Sequence, residues 1–222
     1  MTAPSAVQPS TGAIGDRLHV ALFALTFSTG LIDAVSFLAL GRVFTANMTG
    51  NVVFLAFAIA GVQGLSVPRA AVSLVAFMAG AVGGGIINIR FAHWVPERRL
   101  KESSRIEGAL LLAAAVMGWV APHSVYAFII LSALAMGVRN AIVRKLGVAD
   151  ITTTVLTMTV TGLAADSRLA GGSNPQWKTR AASIVMMCAG AAAGALLVRY
   201  GVAAPFAASS IVAFAVFVGM RR

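Results

Sequence analysis

Phe44-Thr-Ala-Asn47-Met-Thr-Gly50-Asn51-Val-Val-Phe-Leu-Ala-Phe-Ala-Ile-Ala60 is an apolar stretch whose beginning is interrupted by Thr45, Asn47, Thr49, Gly50 and Asn51. Its 17 residues fall short of the roughly 20 that a helix needs to cross a bilayer. Polar groups at this density cost free energy against lipid, but are tolerated where backbone is buried in protein or lines a wet cavity. The stretch therefore reads as a re-entrant or broken helix. A second stretch, Ile151 to Ala165, has 15 residues, six of them Thr, and reads the same way.

The two stretches belong to a wider internal repeat. Gly30, Asp33, Ala34, Thr45, Thr49 and Gly50 recur as Gly137, Asn140, Ala141, Thr157, Thr161 and Gly162. Ala79, Gly80, Ala81 and Gly84 recur as Ala189, Gly190, Ala191 and Gly194. The offset drifts by only a few residues, which small loop insertions explain. Residues 1–17 then form a disordered tail rich in Pro and Ser, 18–120 a first repeat and 121–222 a second. In membrane proteins such a doubling builds a pseudo-symmetric cleft or pathway between the halves.

Composition places the chain in a membrane. It is 59% hydrophobic and 11% charged, with a mean hydropathy of +0.88, whereas soluble domains carry about a quarter charged residues. Six longer apolar segments read as spans: Leu18 to Leu40, Val67 to Arg90, Ile106 to Val120, Ser124 to Val143, Ala181 to Tyr200 and Ala203 to Met220. The tail lacks the basic leader of a secretory signal, and the segment from Leu18 is too long for a signal core. Cys188 is the only cysteine, so neither an intramolecular disulfide nor a Cys-rich metal site is available.

Charge then separates two topologies. If all eight apolar stretches cross, the basic residues divide almost evenly between the two sides and the repeats are four-span units in parallel. If the two short stretches turn back, one side carries Arg17, Arg90, Arg98, Arg99, Lys101, Arg105, Arg144, Lys145, Arg168, Lys178, Arg180, Arg221 and Arg222, and the other only Arg42, Arg69 and Arg199. That asymmetry is a strong positive-inside signal and places both termini in the cytoplasm. The preferred fold is an all-α, polytopic membrane protein with six spans and two re-entrant helices, arranged as three-span inverted repeats.

Few residues in the spans can carry chemistry. Asp33 is read as the only acid inside a span, Glu107 and the others falling in loops or at span ends. An aspartate at mid-helix costs about 2.5 to 3.5 kcal/mol on insertion scales and normally faces the interior with a partner. Its repeat equivalent is Asn140, preceded by Arg139, and inversion would let Arg139 approach Asp33. This is either a proton or cation coupling site, a gate closed by an ion pair, or a buried structural pair that fixes helix register. Asn47, Thr49, Gly50 and Asn51, with Thr157, Thr161 and Gly162, are read as the tips of discontinuous helices that line a solute or ion pathway; the alternative is interhelical hydrogen-bond glue. Gly80 with Gly84, and Gly190 with Gly194, are packing faces. Trp94, Trp119, Trp177 and Tyr200 are interfacial anchors. Arg98, Arg99, Lys101 and Arg105 form a cytoplasmic loop touching anionic lipid.

The run from Gly30 to Asn51, with its Ala46-Asn-Met-Thr-Gly-Asn51 string, resembles the signature of the YoaK-like bacterial membrane proteins, as do Gly137-Val-Arg-Asn140-Ala and Thr161-Gly162. The resemblance implies a multi-pass bacterial inner-membrane protein and supplies no substrate or site residues. A small-solute secondary transporter or channel accounts best for the doubling, the broken helices and Asp33 together; the alternative is a structural or regulatory membrane subunit. An enzyme is not expected. The chain lacks a His-Glu-x-x-His metal motif, a second buried acid on this reading, and an ATP-binding Gly-rich loop. No cofactor, metal or nucleic-acid partner is expected; lipid, a small solute or ion, and a second copy in a homodimer are.

Overall fold

The computed structural model describes residues 13–146 and 156–220. Much of the expected tail, residues 151–155 at the head of the second short stretch, and Arg221 and Arg222 lie outside the described residues. Among the described residues eight α-helices follow one another: α1 (Ala13–Ala39), α2 (Met48–Ile59), α3 (Val67–Arg90), α4 (Pro96–Val120), α5 (Val125–Leu146), α6 (Leu156–Ala165), α7 (Trp177–Leu197) and α8 (Ala203–Gly219). Among the described residues there is no strand. Five helices, α1, α3, α4, α5 and α7, are long and apolar enough to cross a membrane; α8 is apolar apart from Ser209 and Ser210 but has 17 residues. The chain is a polytopic helical membrane protein, and its outward apolar faces meet lipid.

The helix ends follow from local chemistry. Gly41 adopts φ 92° just after α1, and the Arg42 N–H returns to the Phe37 carbonyl, the left-handed closure that satisfies the last carbonyls of a helix. Gly61, at φ 84°, ends α2 through the same bond from Val62 to Phe57. Ser66 caps α3 by accepting from the Arg69 N–H, and Pro96 opens α4, where its missing N–H leaves no bond unmade.

Close contacts fix the helix directions. On α7, Gly190 lies against the Phe27 backbone and Gly194 against Leu31 and Ala34 of α1, so these helices run parallel. Likewise Gly80 meets Leu134 and Gly84 meets Val138, so α3 and α5 are parallel. Any Cβ at Gly84 would stand 2.6 Å from the Val138 carbonyl oxygen, which is why only glycine fits. Helices α4 and α8 are antiparallel, because Gly108 meets Phe214 while Gly118 meets Ala203.

One end of the bundle gathers Leu22, Leu100, Val143 and Val216; the opposite end gathers Leu40, Ala115, Phe128 and Phe206. Helices α1, α3, α4, α5, α7 and α8 therefore alternate in direction. The chain leaves α1 and enters α3 at the same end, so α2 returns without a net crossing. By the same reasoning α6 returns at the other end. Arg69 lies against Gly41, and Arg42 against Gly64, at the α2 end.

Helix α4 begins at Pro96, ten residues before the span expected from Ile106, which corrects the reading of the basic cluster as a loop. Its cations occupy the first turns of a helix: Arg98 stacks over Trp94 at 4.0 Å, Lys101 faces the Phe217 ring, and Arg105 pairs with Glu102 at 2.9 Å. The apolar run was a poor guide here because the helix continues beyond the hydrocarbon-like part of its sequence.

Candidate functional site

Asp33 is built into the site by the segment that follows α1. After the reversal at Gly41 and Arg42, the chain descends beside α1. The Ala46 N–H donates to Asp33 Oδ1 at 3.3 Å, and Asn47 Nδ2 donates to Oδ2. Helix α2 starts at the next residue, so its N-terminus, the positive end of the helix dipole, lies beside this carboxylate. Asp33 is 4% exposed, and among the described residues no cation lies within ion-pair distance of it.

Asn51 holds the descending segment in place. Its Oδ1 accepts from the Phe44 N–H at 2.8 Å, and its Nδ2 donates to the Phe44 carbonyl and to Ser73 Oγ on α3. Ser73 Oγ also donates to the Phe44 carbonyl, at 2.7 Å. Gly50 accommodates the Phe44 ring, which stacks on both Phe37 and Phe54 in a three-ring cluster. Asn47 is half-buried, and Thr49 is exposed on the outer side of α2. Thus Asp33, Asn47, Gly50 and Asn51 are brought together, while Thr49 faces away.

The second-half residues are placed apart from this cluster. Asn140 is partly buried and donates to the Met136 carbonyl on its own helix. Thr157 and Thr161 are exposed on α6. Gly162 supplies a carbonyl to Arg180 at 2.6 Å, and Arg180 also binds Asp166 and Asn174.

Arg139 departs from expectation. It is wholly buried, but its partner is Glu107 of α4 rather than Asp33: Nη1 donates to Glu107 Oε1 at 2.9 Å and to the Leu25 carbonyl, and Nη2 donates to Thr29 Oγ1. Glu107 is equally buried, inside α4, so Asp33 is not the only acid within a span. Sequence reasoning missed it by starting α4 at Ile106. The signal was present: Leu100, Ser103, Ser104, Glu107, Leu111 and Ala114 recur at helical spacing and form one buried stripe.

The pair belongs to a polar layer across the bundle. On α1, α4, α5 and α8 the apolar clusters at the two ends are separated by Ser28 and Thr29, by Ser103, Ser104 and Glu107, by Arg139, and by Ser209 and Ser210. Several of these buried atoms lack a partner: Ser28 Oγ, Ser103 Oγ, Ser104 Oγ, Ser209 Oγ, Glu107 Oε2 and Arg139 Nε. Unpaired polar groups in a low-dielectric interior are costly, so each of these atoms calls for an explanation beyond packing. Among the described residues no group of His, Cys, Asp and Glu could hold a metal.

Residues 21–219 match the model of a family described as a protein of unknown function, DUF1275. The chain is also similar to the UPF0700 transmembrane protein YoaK of Bacillus subtilis (strain 168), with 31% identity over 178 residues, covering 77% of this chain and 79% of that protein. No solved structure matches it.

Proposed function

Because the chain belongs to this DUF1275 family of unknown function, its role has to be read from its own residues, and we propose that it is a secondary transporter or channel for a small solute, with Asp33 as its proton- or cation-binding group. One observation carries the reading. A buried carboxyl with no cation within ion-pair distance among the described residues faces the end of a helix that starts inside the bundle, and interrupted helices of this kind frame the substrate and ion sites of carriers. A site that must take up and release a positive charge is poorly served by a fixed countercharge. The protein acts by binding and passage rather than by catalysis.

The same reading makes the two halves an inverted repeat. Helices α1, α3 and α4 run opposite to their sequence equivalents α5, α7 and α8, and the pairing of α1 with α7 mirrors that of α5 with α3. The end that carries Arg90, Arg98, Arg99, Lys101, Arg144 and Lys145 is then the cytoplasmic face of a bacterial inner membrane, with both termini on that side. Cysteines at positions 42 and 69, in a chain with Cys188 replaced, should both react with an impermeant thiol reagent added outside spheroplasts, and one at Arg105 should not. Labelling of 42 and 69 from different sides would reject the re-entrant path.

Transport itself is tested by Asp33→Asn in proteoliposomes screened with solute mixtures under an imposed proton or sodium gradient. The variant should remain folded, because the amide keeps the shape of the carboxyl and brings no charge into the interior. Gradient-driven uptake should fall at least tenfold while solute exchange persists. Unchanged coupled uptake would reject the role of Asp33. The many internal bonds of Asn51 favour a second reading, a non-transporting membrane subunit stiffened by its re-entrant helix; that reading gains if wild-type protein moves no solute under any gradient.

A further inference from the structure

The described residues bury only three charged side chains, Asp33, Glu107 and Arg139. With all three ionised, two carboxylates and one guanidinium leave the interior with one negative charge. An uncompensated charge is strongly disfavoured there, so the neutral interior contains one added proton. Arg139 stands 2.9 Å from Glu107 while no cation among the described residues is within ion-pair distance of Asp33, so in this arrangement the added proton is assigned to Asp33.

We propose that Arg139 is a movable counterion shared by Asp33 and Glu107, so that the bundle stores one proton on whichever carboxyl the guanidinium leaves. This rests on the reading of Asp33 as a proton-binding group and extends it to a second station. The geometry supplies both positions. Arg139 Nη2 already touches Thr29, which stands one helical turn, about 6 Å, from Asp33 on the same face of α1. A swing of the long side chain about its own Cβ covers that distance.

Each station suits both protonation states. At Asp33, the Ala46 N–H donates to Oδ1, and Asn47 donates through its amide nitrogen to an ionised Oδ2. With its amide rotated, Asn47 accepts through Oδ1 from a protonated Oδ2 instead. At Glu107, Oε2 is buried without a partner and is faced by Ser28, with Ser103 and Ser104 on the same stripe of α4. A proton on Oε2 has hydroxyl acceptors beside it. Among the described residues no other charged group faces either carboxyl: α8 contributes Ser209 and Ser210, α2 contributes Asn47, and Arg144 and Lys145 of α5 are exposed near its end. In the exchange, the proton that leaves Asp33 Oδ2 is delivered to Glu107 Oε2 as Arg139 turns from Glu107 to the new Asp33 carboxylate, so one bound proton and one ion pair are present before and after.

Infrared spectroscopy of the purified full chain in lipid nanodiscs at neutral pH tests this without any solute, so failure to find a transported solute leaves the test intact. Wild-type protein should show the carbonyl stretch of one buried protonated carboxyl, absent in Asp33→Asn. The decisive variant is Glu107→Gln. With its partner gone, Arg139 should pair with Asp33 and ionise it, and the band should fall by at least tenfold although Asp33 is intact. A band of full height in Glu107→Gln, or none in wild type, overturns the proposal. Should Glu107→Gln yield no folded protein, Arg139→Gln carries the test: the band should double, and an unchanged single band overturns the proposal. If the infrared pattern holds while gradient-driven uptake is absent, the transport reading alone fails.

Discussion

Removing both interior carboxylates, through Asp33→Asn combined with Glu107→Gln, is expected to lower the unfolding free energy by about 3 to 5 kcal/mol, the usual cost of stranding one member of a buried ion pair. Each single substitution should cost markedly less, because Arg139 retains one carboxylate to pair with. The effects are therefore strongly non-additive, as expected for groups sharing one partner. Arg139 is wholly buried and its tip is bonded to Thr29 and Leu25, so it has no route to water once both acids are gone. Adding Arg139→Gln to the double variant should recover most of the loss. Thermal or detergent unfolding followed by the fluorescence of Trp94, Trp119 and Trp177 reads the series. The shared-counterion account does not survive if Glu107→Gln alone produces the full loss and Asp33→Asn adds nothing to it.

The second large effect is expected at Asn51. In Asn51→Ala the Phe44 N–H loses its only bonded partner among the described residues, and the Phe44 carbonyl keeps only Ser73. A buried donor left unpaired costs about 1 to 3 kcal/mol, enough to shift the descending segment toward an open state. Loss of register there also withdraws Ala46 and Asn47 from Asp33. A cysteine in place of Ala46, which is 3% exposed, should react with a small polar thiol reagent at least tenfold faster in the Asn51→Ala background. Equal rates in both backgrounds would mean that the aromatic stack of Phe37, Phe44 and Phe54, rather than Asn51, holds the segment down.

The path of 44–60 was legible because length, polarity and charge distribution all spoke against a crossing, and each is a property of the bilayer rather than of tertiary contacts. The glycine faces were legible for a similar reason, since small residues at a four-residue spacing have few uses in a membrane helix. Glu107 was not legible from hydropathy. Flanked by Arg98, Arg99, Lys101 and Arg105, it lies in a stretch whose average polarity resembles a loop, and only the helical stripe through Leu100, Ser103, Ser104 and Leu111 identifies it as interior. The choice of Glu107 over Asp33 by Arg139 was beyond the sequence altogether, because it depends on how α4 packs against α5. Asn51 was named for the right region with its role left open between solute contact and glue; in the fold its amide bonds are all internal.

The glycine contacts bind α1 to α7 and α3 to α5, and α4 packs on α8, so each of these pairs joins a helix before residue 121 to one after it. Neither half of the chain can bury its own small-residue faces. A half-length ancestor could have closed such a bundle only by meeting another copy lying the opposite way up, which requires one gene product to insert into the membrane in both orientations. On the inverted-repeat reading proposed above, fusing the copies would remove that requirement. Each half would then be free to acquire its own charge bias and its own residue at the Asp33 and Asn140 positions.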